Sequence, residues 1–233
     1  MGLALTLFQA LVIGYFSLCC RRTPVVGVLR TGKEKNSSML VFLRENRRFC
    51  CLMIGVAFLF FTPQIPNTYL INVVRSLGGD TADMGRISAF TAVMELPVMF
   101  CYDRISRRWG CPRCMQVSAV FFVLKALAIA LARSIPMLYS AYIFQSFSYA
   151  LVTPALVEYA ERFVPHKDSA RAQSFSYAMV TLGSIFSNLL GGWLMDSLGV
   201  SRVLLCGVAV SVMGMTVCLL SARGAKAVTA EGC

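Results

Sequence analysis

The chain has 233 residues, of which 57% are hydrophobic and only 14% charged, and its mean hydropathy is +0.68. That balance lies outside the globular range, so the solvent for most of its side chains is lipid. The net charge of +11 suggests nucleic acid at first sight, but the Lys and Arg residues lie in short stretches between apolar runs. With no basic face beside them, they read as topology signals, and no nucleic-acid partner is expected.

Crossing the hydrocarbon core takes about 20 predominantly apolar residues. Such runs fall at 3–20, 49–74, 86–102, 114–133, 136–160, 171–195 and 202–222. They predict an all-α membrane protein with seven transmembrane helices. The first run has no basic n-region and is followed by Arg21 and Arg22, so it reads as a membrane helix and not as a signal peptide. Residues 21–48 are basic and contain Gly27, Gly32, Asn36 and Ser37, a flexible linker composition. The chain then divides into a helix at 1–20, a central loop at 21–48, a six-helix bundle at 49–222 and a tail at 223–233.

Cytoplasmic loops carry the excess of Lys and Arg. Taking alternate loops, one side collects 17 basic residues, including Arg44, Arg104, Arg107, Arg108, Arg162 and Arg171. The other side has Arg75, Arg86, Arg133 and Arg202. The N-terminus is therefore expected outside and the C-terminus in the cytoplasm of a plasma or inner membrane. The sequon Asn36-Ser37-Ser38 then faces the cytoplasm and would meet no glycosylation enzyme.

An ionisable side chain at mid-membrane depth costs roughly 2.5–3.5 kcal/mol on insertion scales and marks function by default. Glu95 lies about midway along the third run and Lys125 about midway along the fourth. They read either as part of a solute or proton pathway or as a buried ion pair that fixes helix register. Pro97 removes the helix hydrogen bond to the Val93 carbonyl and frees backbone near the acid. Gln64 and Asn67, around the Pro63 and Pro66 break, and Gln145, Tyr149 and Asn188 are further pathway candidates, each open between solute contact and interhelix hydrogen bond. Glu158, Glu161 and Arg162 read as a solvated helix end. Gly183, Ser187 and Gly191 recur every four residues, the small-residue ladder of close helix packing.

Most of the ten cysteines lie in or against apolar runs, where Cys packs as a small hydrophobe. Cys111-Pro112-Arg113-Cys114 lacks a second ligand pair, and the single histidine, His166, lies in another loop, so no metal site is expected. No serine-hydrolase, metalloprotease or nucleotide-binding signature occurs. Neither an enzyme nor a cofactor is expected.

Asp103-Arg104-Ile105-Ser106-Arg107-Arg108, between the third and fourth runs, resembles the G-x-x-x-D-R-x-G-R-R loop motif of the major facilitator superfamily from its Asp onward. Met99 and Ser106 stand where that motif has glycine. The order of spans, with Gly191 to Gly199 closing the sixth, is similar to helices six to twelve of that fold, the C-terminal half. From Glu95 onward the chain looks most like the lactose permease and phenylpropionate permease group of proton symporters. A gapless comparison puts Lys125 where lactose permease has an essential arginine, and puts Gln145 and Ser148 where it has a histidine and a proton-coupling glutamate. The resemblance implies secondary active, alternating-access transport of a small solute; with serine at the proton carrier's place, Glu95 is the remaining mid-membrane carboxylate that could couple transport to protons, its charge sensed by Lys125. Asp103, Arg104, Arg107 and Arg108 would form the conformational loop motif.

Two other readings stand beside this one. A seven-helix receptor shares the topology, but the long loop follows helix one and no N-P-x-x-Y closes the last span. Alternatively, the chain is a truncated fragment without transport activity of its own, because the family places its solute between two six-helix halves. On that reading the missing partner is an N-terminal half or a second copy. The solute itself is not specified by the sequence.

Overall fold

The computed structural model describes residues 39–165 and 168–222, and the expected first helix, most of the central loop and the tail lie outside them. Within the described residues the chain is helical throughout its regular structure. The helices are α1 (Met39–Glu45), α2 (Arg47–Thr68), α3 (Leu70–Ser76), α4 (Thr81–Trp109), α5 (Cys111–Leu131), α6 (Ile135–Arg162), α7 (Ser169–Leu198) and α8 (Val200–Ala222). Five of them, α2, α4, α5, α7 and α8, are long and apolar enough to cross a membrane. The chain is a multi-pass membrane protein. At 28 residues α6 is about 42 Å long, more than the hydrocarbon core requires, but Gln145 and a series of serines and tyrosines dilute its apolar content.

Helix ends follow local chemistry. Asp80 opens α4 with a reciprocal capping box: its carboxylate accepts from the Asp83 N–H at 2.9 Å, and its own N–H donates to the Asp83 carboxylate at 3.2 Å. The backbone N–H of Asp83 also holds the Asp80 carboxyl below the usual carboxylate range. Gly110, at φ 82°, is the whole connection between α4 and α5. Only glycine adopts that φ without strain. The expected span at 49–74 breaks at Tyr69, just past Pro63 and Pro66, and restarts as α3. Residues 39–45, part of the segment read as a loop, are helical because Phe42 has a core to enter: it is 1% exposed and packs edge-on to Phe49.

The helices pack as a row, α4 on α6, α6 on α5, α5 on α8, α8 on α2 and α2 on α7. The apolar stretch of α2 is 61% buried, whereas those of α4 and α7, at the two ends of the row, are 11% and 22% buried. The ladder on α7 meets α2 in matching steps of four. A Cβ on Gly183 would stand 2.4 Å from the Ala57 carbonyl oxygen, Ser187 donates to the Phe61 carbonyl at 2.5 Å, and Gly191 lies against Ile65. Small side chains let the two backbones approach, as the spacing predicts. The Thr62 hydroxyl donates to the Gly207 carbonyl at 2.8 Å and ties α2 to α8 on its other side.

Candidate functional site

Three helices bring the mid-span polar residues together. Lys125, on α5, is 2% exposed and donates from Nζ to Oε1 of Gln145 on α6. The Gln145 amide nitrogen donates in turn to Oε1 of Glu95 on α4 at 2.6 Å. Left open by the sequence between a pathway and a direct ion pair, Glu95 and Lys125 are joined through an amide that accepts from the cation at one end and donates to the anion at the other. The arrangement satisfies both charges while keeping them one side chain apart. Lys125 also lies over the Tyr142 ring, 4.9 Å from its centre, where the ring quadrupole favours a cation. The Tyr142 hydroxyl is buried and has no partner among the described residues.

Backbone geometry helps to hold this chain. Pro97 sits inside α4 two residues past Glu95, and the Ser146 hydroxyl on α6 donates to the Met94 carbonyl at 2.7 Å. The helix runs unbroken through the proline, and the carbonyl that takes a side-chain donor is Met94, next to the expected Val93. Ser148 is fully buried at the α5–α6 seam, where its carbonyl accepts from Ser118 at 2.7 Å.

The other candidates separate. Asn188 stands at the α2–α7 contact, accepting from the Thr68 hydroxyl at 2.7 Å, with its carbonyl taking the Tyr69 hydroxyl at 3.3 Å. That is an interhelix clasp. Asn67 is exposed and Gln64 half-buried, both near the proline break and away from Lys125's hydrogen bonds. Tyr149 lies one turn beyond Gln145 on α6, edge-to-face with Phe60 at 5.7 Å.

Asp103, Arg104, Arg107 and Arg108 are all exposed and lie in the last two turns of α4 instead of in a loop, because nothing breaks the helix before Gly110. Asp103 and Arg107 face a cavity of about 470 Å³ shared with Tyr102, Ser106, Glu158 and Arg162. Here the sequence reading needs correction. The Glu158 side chain is only 14% exposed, takes hydrogen bonds from the hydroxyls of Tyr102 and Ser106, the latter at 2.5 Å, and pairs with Arg162 Nε at 3.1 Å. It is an α4–α6 junction and not a solvated end. Tyr102 and Ser106 are spaced i, i+4 and so present one face, and Ser106 stands at a motif glycine. That departure was the signal that a side chain there had something to reach.

A buried cation, an amide and a carboxylate are strung across three helices of a membrane protein, and the Major Facilitator Superfamily profile matches residues 49–231. The chain belongs to that superfamily of membrane transporters. It is similar to a maltose permease of Geobacillus stearothermophilus, 28% identical over 182 residues that cover 78% of this chain and 46% of the permease. It is also similar to a putative sugar efflux transporter of Deinococcus radiodurans, 25% identical over 154 residues, or 66% of this chain and 39% of the transporter. The chain spans less than half the length of either relative.

Proposed function

We propose that the chain carries one half of a proton-coupled transporter for a small neutral sugar, with Glu95, Gln145 and Lys125 as its coupling site. The observation that carries this reading is the hydrogen-bonded chain itself. Protonating Glu95 removes the charge at one end, and Gln145 transmits the change to Lys125 by giving up or rotating a hydrogen bond. The names of the two relatives favour a sugar. In this reading α6 is a sixth span beside the five, residues 1–20 a seventh, and 49–222 the six-helix bundle, in the arrangement of helices six to twelve. The N-terminus lies outside, and the Asp103 to Arg108 motif is cytoplasmic.

The test is maltose-driven proton movement into membrane vesicles that hold the chain, followed with a pH-sensitive dye. Glu95→Gln is expected to abolish proton movement, and coupling that survives it removes the carboxylate from the mechanism.

A second reading is favoured by coverage of less than half of each relative, together with the largely exposed α4 and α7. Here residues 1–233 transport nothing alone and act together with another half. Vesicles with this chain alone are then inactive, and co-expression with the N-terminal half of the maltose permease restores uptake.

A further inference from the structure

A cavity of about 150 Å³ lies between α2, α6 and α7, apart from the Lys125–Gln145–Glu95 chain. Phe60, Tyr149 and Tyr177 supply aromatic walls, and Thr153, Gln173 and Ser176 supply polar ones. Among the described residues no charged side chain lines it. A space of roughly this volume takes a single six-membered ring. The lining offers an ion no counter-charge in direct contact, which favours a neutral occupant.

The polar groups specify it further. The hydroxyls of Tyr149 and Tyr177 have no hydrogen-bond partner among the described residues, although the side chains are 38% and 58% exposed at mid-helix positions. Gln173 is anchored by one amide N–H to Glu161 at 3.3 Å, which leaves its carbonyl oxygen free to accept. The Thr153 and Ser176 hydroxyls donate to carbonyls of their own helices, at 2.9 and 2.8 Å, and keep acceptor lone pairs. Unused donors and acceptors beside aromatic faces match a ring that carries several hydroxyls, each able to give and to take a hydrogen bond. Tyr149 stands four residues past Gln145, about 6 Å along α6 towards Arg162.

We propose that this cavity is a second, uncharged station on the solute pathway and that it binds one pyranose ring. Tyr149 and Tyr177 hold the C–H faces, and Gln173, Thr153 and Ser176 take the hydroxyls. The proposal rests on the reading of the chain as a sugar transporter.

The experiment is binding of methyl α-D-glucopyranoside to the purified full chain in detergent, by saturation-transfer NMR and equilibrium dialysis. Tyr177→Leu and Gln173→Leu are each expected to weaken binding about tenfold. Tyr177→Phe, which keeps the ring, should weaken it about threefold. Trp193→Leu, an exposed aromatic on α7 outside the cavity, should leave it as in the wild type, and glucuronate should bind at least tenfold more weakly than the glucoside. Thermal melting of each variant separates lost binding from lost fold. Wild-type affinity in Tyr177→Leu overturns the station. If Gln145→Leu alone loses binding, the ring sits on the charged chain, so the station falls while sugar transport stands. If the wild type binds no glucoside yet vesicles take up maltose, the outcome is the same. No binding, with no uptake even when the N-terminal half of the maltose permease is co-expressed, removes both.

Discussion

Two carboxylates join α4 to α6, and the fold neutralises them in different ways. Glu95, at mid-span, reaches a cation only through the Gln145 amide, and that cation is fully enclosed. Glu158, near the end of α6, is met directly by two hydroxyls and by Arg162, whose side chain is 65% exposed. The difference follows from where water is. A helix end can draw a solvated guanidinium onto a half-buried acid at little cost, while a mid-span acid must be answered by a side chain already inside. The enclosed arrangement therefore depends on every member, and the open one has redundancy.

Cutting the middle chain should have the largest effect. Gln145→Leu leaves the Lys125 ammonium without its acceptor and Glu95 without its donor, and the cost of a buried unpaired charge is about 3 kcal/mol. The double change Lys125→Met with Gln145→Leu removes the orphaned cation and should recover most of that loss, as measured by thermal unfolding in detergent. If the single change is as mild as those at the helix end, the contrast between the two sites disappears.

At the helix end the expected losses are smaller and ordered. Tyr102→Phe removes one of the hydroxyl donors from Glu158 and should cost about 1 kcal/mol. Arg162→Gln should cost at most about 0.5 kcal/mol, because the pair is largely solvated. Melting of both variants beside the wild type gives the order, and a larger loss from the arginine would mean that the ion pair, and not the hydroxyls, holds the junction.

Legibility in the sequence followed the same division. The helices were readable because lipid allows little else, and Glu95 and Lys125 stood out because a charge within an apolar run has few innocent explanations. Gln145 was legible only as one polar residue among several, since its role depends on α5 and α6 packing side by side. Glu158 was misread because an i, i+4 pair with Arg162 accounts for it locally, and nothing local shows that Tyr102 and Ser106 lie across from it. The ladder Gly183, Ser187 and Gly191 was legible as a close contact, and the partner surface at Ala57, Phe61 and Ile65 came only with the fold.

The smallest effect concerns a third carboxylate, exposed at the N-terminal end of α4. Asp80 is held ionised by the Asp83 N–H at the first turn of α4, so its carboxyl lies below the ordinary carboxylate value. A depressed acid contributes stability that is fully present above its unfolded value and is lost as pH falls through the folded one. The first turn of α4 should therefore fray below about pH 4, near the ordinary aspartate value, and hold at neutral pH. Hydrogen exchange of the Asp83 and Met84 amides should show protection falling across that window and no such step in Asp80→Asn, whose amide caps without titrating. A step that persists in the asparagine variant would show that the Asp80 carboxylate is not its source, and the exposed acid would then contribute nothing that the two helix-joining carboxylates do.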